Sequence, residues 1–189
     1  MKKPLFLIVL MIIVLILPGC SEDKANSEKV SRFHEKLQNA EAISIKADVS
    51  ADYGGRVYEY TLSYTESGGE GVVEILSPDN VAGIKARITE EGASIEYHGV
   101  SLGLGDLSSG GLSPVSALPT IISSIKNGHL ESVSREKDGD TELLLLDITI
   151  SDDSMQQLWL DAGGLIPLKS EIRSGNSVVI FCNILEWAV

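Results

Sequence analysis

The stretch ISIKADVSADYGGRVYEYTLSY, residues 43–64, is the part of the sequence that decides the fold. Apolar residues occupy every second position on both sides of the central Gly54-Gly55 pair. In a β-strand, alternate side chains lie on opposite faces, so apolar residues at every second position form one apolar face. A glycine pair between two such runs is typical of a hairpin turn. The stretch therefore predicts two long antiparallel strands that share one apolar face.

Similar runs continue along the chain on the C-terminal side of this hairpin. Glycine or Pro-Asp steps separate the next runs, and a loop rich in glycine and serine is predicted over residues 99–113. Consecutive strands joined by tight turns favour antiparallel pairing. The spacing of the turns indicates about nine or ten strands in all. Beyond the hairpin, the predicted strands cover residues 71–76, 83–89, 93–98, 130–136, 142–151, 157–160, 165–173 and 177–187.

Two segments have a helical period instead. Val30, Phe33 and Leu37 recur in charged surroundings and predict an amphipathic helix over 28–40. A second apolar helix is predicted from residue 115 to the Asn-Gly step at 127–128, with Pro119 either near its start or breaking it into two short pieces. The predicted fold class is α+β and mainly antiparallel β, with one curved sheet partly covered by helices.

The N-terminus has the order of an export signal. Lys2 and Lys3 precede an unbroken apolar run over residues 5–17, and Gly19-Cys20 follows. Thirteen helical residues reach only about 20 Å, short of the ~30 Å hydrocarbon core of a bilayer. A secretory signal over residues 1–19 is therefore favoured over a transmembrane helix.

The end of this run resembles the lipobox of bacterial lipoproteins. Leu17 lies three residues before Cys20 and the small Gly19 directly precedes it, although Pro18 departs from the usual small or β-branched residue. The resemblance implies cleavage before Cys20 and a diacylglyceryl group on its thiol. Residues 20–29 are then the lipidated cysteine with a polar tether, and 30–189 are a single domain. The implied location is the extracytoplasmic face of the cell membrane.

Composition excludes several classes of function. The chain has a formal net charge of −12, and removal of residues 1–19 takes away two of its 15 basic residues and no acidic one. The mature chain would carry 13 basic against 27 acidic residues, a balance that disfavours nucleic acid and anionic lipid headgroups as partners. With Cys20 acylated, Cys182 has no partner for an intrachain disulfide. No cofactor motif or metal-ligand spacing is present, so neither is predicted.

One short motif suggests catalysis. Residues 99–103, Gly-Val-Ser-Leu-Gly, match the nucleophile elbow G-x-S-x-G, with Ser101 as the nucleophile. The motif needs a strand-to-helix turn, whereas a glycine-rich loop follows here, and His129 is the only histidine downstream. The chain also lacks the alternating βα pattern of such hydrolases. We therefore predict no enzymatic activity, and an esterase using Ser101 is the weakest hypothesis.

The whole layout resembles the LolA/LolB-like superfamily of lipoprotein carriers. The order of elements across residues 28–187 carries the resemblance, with local echoes at Ser77-Pro78-Asp79, at 158–161 (Leu-Trp-Leu-Asp) and at 166–168 (Ile-Pro-Leu). It implies a strongly curved, unclosed half-barrel sheet with helices across its concave face and room for acyl chains between them. In the carriers an arginine on an early strand helps to switch ligand release, and Arg56 and Arg87 are its two candidate counterparts here.

The leading hypothesis is that the chain binds a lipid or a lipid-linked apolar group outside the cell membrane. Its partners would be the membrane, through lipidated Cys20, and lipid or lipoprotein acyl chains. The alternative is a protein-binding or envelope-sensor lipoprotein with a filled core. The residues predicted to line the apolar groove are Tyr58, Tyr60, Leu62, Ile75, Ile84, Ile88 and Trp159.

Overall fold

The structure is a computed structural model that describes residues 20–89, 91–105 and 113–189, and for residues 20–23 and 104–105 it describes the backbone alone. Its strands form one antiparallel sheet of eleven, in the order β6-β5-β4-β3-β2-β1-β11-β10-β9-β8-β7. The strands are β1 (Ala42–Asp52), β2 (Val57–Ser67), β3 (Glu70–Ser77), β4 (Lys85–Thr89), β5 (Gly92–Tyr97), β6 (Val100–Gly105), β7 (His129–Asp138), β8 (Thr141–Ser151), β9 (Ser154–Asp161), β10 (Pro167–Ser174) and β11 (Ser177–Ala188).

The hairpin predicted from residues 43–64 lies next to the centre of this sheet. β1 pairs with β2 from Ala42↔Ser67 to Asp52↔Val57, and its other side pairs with β11. The alternate residues of β1 from Ile43 to Ala51 are all buried on one face, as the period of two predicts. β1 and β11 thus join an N-terminal and a C-terminal half of the sheet.

Two helices, α1 (Cys20–Gln38) and α2 (Ala117–Asn127), cover this buried face. α2 contacts β2, β3 and β8, although β3 and β8 lie six positions apart in the sheet. A flat sheet with strands ~4.8 Å apart could not bring both to one helix, so the sheet curves around α2. The face toward the helices is concave and is called the inner face below; the opposite one is the outer face. The sheet is open, with β6 and β7 at its edges.

Side chains from both halves of the sheet and both helices form one apolar core on the inner face. Val30, Phe33 and Leu37 of α1 contribute to it, and Leu118, Ile121, Ile122 and Ile125 of α2 do the same.

Pro119 is the third residue of α2, within the first turn, where its missing N–H would have no helical partner. α2 is therefore continuous and is not broken at Pro119.

Two local predictions are wrong. Residues 20–29, predicted as a polar tether, form the first half of α1. Glycine and proline are absent from this segment, and Asn26 and Val30 are buried against the domain, so packing extends the helix beyond the predicted start. The loop predicted over 99–113 contains β6, which pairs with β5 despite its glycines because β5 supplies a ready ladder of backbone partners.

The predicted signal segment, residues 1–19, lies outside the described residues. Among the residues that are described, no helix is long and apolar enough to cross a membrane.

Candidate functional site

Six of the seven residues predicted to line the groove share the inner face of the sheet. Leu62 pairs with Ile75 across β2 and β3, and the cross-strand row continues through β1 at Ala47. Ile88 lies opposite Gly71 on β3, whose side chains alternate in the same way. The residues on the inner face are Tyr58, Tyr60, Leu62, Ile75, Ile84 and Ile88.

These six residues differ in how far the helices cover them. Leu62 is fully buried and Ile75 is nearly so, which makes both part of the core. Ile84 and Ile88 are half-buried at its margin, whereas Tyr58 is 38% exposed and its ring packs against that of Tyr53. The predicted groove is therefore filled at Leu62 and Ile75, whereas its exposed parts are separate: Ile88 lies beside the C-terminal end of β2 and Tyr58 lies at the start of that strand.

A hollow lies between α2 and the sheet, and Ile88 is the one of the seven predicted groove residues that lines it. Its volume is about 380 Å³, and Ile88 of β4 and Ile150 of β8 form its apolar walls. Pro119, Thr120 and Ser123 of α2 line the third side. None of the described residues that line the hollow is charged, and its volume is in the range of small-molecule sites. We call it the α2 hollow.

An ion pair holds α2 to the sheet beside this hollow. Lys126, near the end of α2, donates from Nζ to Glu66 Oε1 on β2. The Tyr64 hydroxyl donates to Glu66 Oε2 over 2.8 Å. Burial, followed by this hydrogen bond to a carboxylate, raises the pKa of Tyr64 above its ordinary value, so the hydroxyl remains a donor at neutral pH.

The two helices meet at the same lysine. The backbone carbonyl of Lys126 accepts from His34 Nε2 over 2.8 Å and from Gln38 Nε2 over 3.2 Å, both on α1. Carbonyls in the last turn of a helix have no partner within it, so these side chains satisfy the end of α2. Movement of α2 would therefore break contacts with α1 as well as with β2.

A buried polar network crosses the inner face at Ser124 of α2, two residues before Lys126. Ser124 contacts Gln156 Oε1 on β9, and Gln156 Nε2 lies 3.0 Å from Ser170 Oγ on β10. The Ser170 hydroxyl donates to the carbonyl of Gln157. Each buried side-chain N or O atom in the described part of the chain has a partner, so this network is fully paired and helps to fix the position of α2.

Trp159, the seventh predicted residue, is on the outer face. Its neighbours Leu158 and Leu160 are the buried inner residues of β9, and Trp159 instead packs with Leu143 and Leu145 in a separate small cluster. The prediction that Trp159 lines the groove is wrong. β9 has apolar residues on both of its faces, and its pairing with β8 and β10 places the face with Leu158 and Leu160 toward the core.

Neither arginine suggested as a switch faces the α2 hollow. Arg87 lies on the outer face of β4, where it pairs with Glu70 and Glu96. Arg56 is exposed in the turn between β1 and β2. The role implied by the resemblance therefore has no counterpart at either position.

The geometry also opposes a nucleophile elbow. Ser101 is the second residue of β6, an extended strand, and its partner on β5 is Glu96. His129 begins β7, which is the other edge strand of the sheet. Among the described residues, no three His, Cys, Asp or Glu side chains are placed to hold a metal ion.

A larger hollow, about 470 Å³, lies on the outer face of β1, β2 and β11. Asp48, Ser50, Glu59 and Thr61 line much of it, and the Thr61 hydroxyl donates to Asp48. Its carboxylates and hydroxyls are a poor match for an apolar ligand. The α2 hollow is smaller but has the chemistry that the predicted ligand needs.

The residues of α2 that line the hollow, above all Thr120 and Ser123, are not among the residues predicted from the sequence. They form the polar face of an otherwise apolar helix, and that interruption of the apolar pattern was the available signal. The pairing of Glu66 with Lys126 is not predicted either, because the two residues lie 60 positions apart and only the curvature of the sheet brings them together.

Comparison with known proteins supports the fold. No protein-family model matches the chain, and no curated protein matches its sequence. A DUF1329 family protein from Desulfovibrio piger matches the structure with a TM-score of 0.54 and 12% identity, covering 88% of this chain and 91% of that one. A putative outer membrane lipoprotein-sorting protein domain from Vibrio parahaemolyticus matches with a TM-score of 0.52 and 11% identity, covering 85% and 90%.

A LolA superfamily protein from Nitrosomonas europaea matches with a TM-score of 0.46 and 12% identity, covering 87% of this chain and 93% of that one. The structural neighbours include a lipoprotein-sorting protein domain and a LolA superfamily protein. The two matches with a TM-score above 0.5, together with the observed sheet order, confirm the predicted fold class: an open, curved antiparallel sheet with helices across its inner face. Identities this low show a shared fold and leave function to be argued from the site.

Proposed function

We propose that the chain is an extracytoplasmic lipoprotein, held on the membrane through Cys20, that binds a lipid or a lipid-linked apolar group without catalysing a reaction on it. The observation that carries the proposal is the α2 hollow, which opens into the apolar inner face of the sheet and whose described lining residues carry no charge. Its walls, Ile88 and Ile150, suit a hydrocarbon chain, because each buried CH₂ group contributes about 0.8 kcal/mol.

The lining of the hollow also suits the polar end of such a ligand. Thr120 and Ser123 offer hydroxyls along the α2 side, and Asn127 adds a side-chain amide. These groups can hydrogen-bond an ester or a sugar hydroxyl, whereas the nearby cation, Lys126, is already paired with Glu66. The ligand is therefore expected to have an uncharged or hydroxyl-rich group next to its apolar chain.

The charge of the protein agrees with an anchor made of lipid. A net charge of −12 repels anionic headgroups, so the protein surface itself would hold the chain poorly on a membrane. A diacylated Cys20 would supply two chains, which is enough for stable anchoring. The described part of α1 extends from Cys20 and packs on the domain, so the anchor would place the domain close to the bilayer.

Native mass spectrometry of the full-length chain, purified from its host in a mild detergent, tests the proposal. Ser123→Trp should fill the hollow, and Ser27→Trp, on an exposed position of α1, is the matched control. We expect a co-purifying lipid on the wild type and on Ser27→Trp, with about tenfold lower occupancy on Ser123→Trp. Equal occupancy in all three proteins would place the ligand elsewhere.

A second function remains a candidate because most of the inner face is filled. Leu62 is fully buried and Ile75 nearly so, beneath helices that are fixed by several polar contacts. This observation favours a protein-binding or sensor lipoprotein without a bound lipid. Purified wild-type protein that carries no lipid, together with no uptake of a dansylated fatty acid as a fluorescent probe, would support this function over lipid binding.

A further inference from the structure

The two edge strands of the sheet differ in their protection against pairing with another chain. β7 carries five charged side chains in ten residues: Glu131, Arg135, Glu136, Lys137 and Asp138. β6, Val100–Gly105, has none. Charged side chains on an edge strand oppose the addition of a further strand, so β7 is protected and β6 is open to it.

The backbone of β6 offers hydrogen bonds on its free side. Tyr97 and Val100 close a two-residue turn at His98-Gly99, where both central residues have positive φ, so Val100 bonds back to β5. Alternation along an antiparallel ladder then directs the N–H and C=O of Ser101 and Gly103 away from β5. In the part of the chain that the structure describes, no strand lies beyond β6.

The inner side of this edge is apolar, and no described residue covers it. Val100 is 71% exposed and Leu102 is 65% exposed, the highest values among the large hydrophobic side chains of the described residues. Leu102 lies beside Ile95 of β5, so the two residues extend the apolar inner face to the edge of the sheet. A strand added here could continue that face with apolar side chains at alternate positions.

The outer side of the same edge has room and an excess of negative charge. A hollow of about 420 Å³ is lined by Glu70, Arg87, Glu91 and Gly103, and a Cβ atom added to Gly103 would meet no atom within 4 Å. Arg87 pairs with both Glu70 and Glu96, and Glu91 also lines the hollow. Three carboxylates therefore lie near a single guanidinium group. Basic side chains on an added strand would complement this surface.

We propose that β6 binds an extended segment of a partner protein as a twelfth strand of the sheet. The segment has apolar side chains at alternate positions, which lie beside Val100 and Leu102 on the inner face. Lysine or arginine occupies the positions between them and lies over Gly103, near Glu70 and Glu91. Backbone hydrogen bonds to Ser101 and Gly103 supply affinity, and the two side-chain rows supply specificity. The surface is separate from the α2 hollow, so this proposal and lipid binding can fail independently.

A blocked heptapeptide, Thr-Lys-Val-Lys-Val-Lys-Thr, is the probe, and Thr-Glu-Val-Glu-Val-Glu-Thr is its matched control. Binding to the full-length chain in detergent is followed by fluorescence anisotropy, and amide hydrogen exchange locates the bound peptide. We expect the lysine peptide to bind at least about tenfold more tightly than the glutamate peptide. It should slow exchange at the amides of Ser101 and Gly103 by about tenfold.

Variants on the two edges decide whether the peptide uses β6. Ser101→Pro removes an outward N–H, which an edge strand tolerates, and should weaken binding by at least about tenfold. Leu102→Lys, at a side chain that is already exposed, should do the same without affecting folding. Lys137→Pro on β7 removes an outward N–H on the other edge and should leave binding unchanged.

Three results would overturn the proposal. The first is equal affinity for the lysine and glutamate peptides. The second is that Ser101→Pro or Leu102→Lys binds the lysine peptide as tightly as the wild type does, or that none of the three proteins binds it. The third is protection of Ser101 and Gly103 that rises with protein concentration in the absence of peptide, which would assign the edge to a second copy of this chain.

Discussion

The ammonium group of Lys169 lies 3.8 Å from the centroid of the Trp159 ring, on the face of the sheet that points away from both helices. The indole N–H of Trp159 donates to Glu136 over 2.8 Å, and Leu143 and Leu145 pack beside the ring. This cation–π contact and the cluster around it join β7, β8, β9 and β10 on their outer face. The role of Trp159 is therefore structural.

Trp159→Ala should lower the free energy of unfolding by about 3 kcal/mol, because it removes a large buried ring. For a chain of this size the expected fall in Tm is about 6–12 °C, measurable by circular dichroism. Phe181 is a half-buried aromatic residue on the same face, so Phe181→Ala is the control and should lower the free energy of unfolding by less. Occupancy of the α2 hollow should not change in either variant. If Trp159→Ala lost bound lipid while its Tm stayed unchanged, Trp159 would be part of the ligand site.

The wrong prediction for Trp159 shows that local sequence does not always reveal which face of a strand is buried. β1 alternates cleanly between apolar and polar residues, so its buried face was predictable from residue 43 onward. Residues 158–160, in contrast, are Leu-Trp-Leu, and either face of that strand could have been the buried one. The choice depends on pairing with β8 and β10, which is a long-range property of the sheet.

β6 and the first half of α1 were missed for related reasons. Gly103 and Gly105 have low strand propensity, and the strand exists because β5 offers it a partner. Residues 21–29 contain few apolar side chains, yet Lys29 donates to the carbonyl of Ala162 and Asn26 accepts from Arg135. Such contacts cannot be predicted from local pattern, because their partners lie more than 100 residues away.

Gly71 is predicted to be intolerant of even a methyl group. A Cβ atom at this position would lie 2.7 Å from Tyr64 Oη and 2.9 Å from Tyr64 Cε2. Gly71→Ala should therefore displace the Tyr64 ring, weaken its hydrogen bond to Glu66 and destabilise the fold by about 1–3 kcal/mol in urea unfolding. Gly103→Ala, which meets no neighbour, is the control and should be nearly neutral. A smaller cost of Gly71→Ala in a Tyr64→Phe background would confirm the cause, and an equal cost would argue against it.

The ion pair between Lys126 and Glu66 should stabilise the docking of α2 more than an exposed pair would. Both side chains are less than one third exposed, and Glu66 also accepts from Tyr64. A double-mutant cycle with Lys126→Met and Glu66→Gln should give a coupling of about 1 kcal/mol. The pair of Lys46 and Glu186, with side chains 37% and 71% exposed, is the matched control and should give a coupling near zero. Equal couplings for the two pairs would contradict a specific role for Lys126.

Cys182 should be unreactive in the folded chain. Its side chain is fully buried on the inner face of β11, and burial raises the pKa of the thiol from 9.0 to about 12. Because only the thiolate attacks disulfide reagents, we expect no reaction with Ellman's reagent at pH 8 until urea unfolds the chain. Rapid reaction in the folded state would show that the core opens locally.

The same pKa shift predicts how stability changes at high pH. Below pH 9 the thiol is protonated in both states, so its contribution is fully present. Between about pH 9 and pH 12 the unfolded thiol ionises while the folded one stays protonated, so the free energy of unfolding decreases as pH rises. Tyr64, whose pKa is also raised, adds to the decrease. Cys182→Ala should make the decrease shallower, and an unchanged slope would assign it to other groups.

Cys20→Ser tests the proposed anchor. A serine hydroxyl is a far weaker nucleophile than a thiolate, and it cannot form the thioether that would carry a diacylglyceryl group. We expect loss of radiolabelled palmitate and accumulation of the uncut precursor, whose apolar run over residues 5–17 is too short for a comfortable membrane span. The Tm should not change, because α1 packs on the domain through Val30, Phe33 and Leu37, beyond its first turns.

Counting thiols makes this test independent of the label. The chain has two cysteines, so the unfolded wild type should show one reactive thiol if Cys20 is acylated and two if it is not. Cys20→Ser should show one in either case. Palmitate that persists on the Cys20→Ser protein would leave Cys182 as the remaining thiol able to carry it. Because Cys182 is fully buried in the folded domain, that result would require acylation before folding and would overturn the proposed anchor.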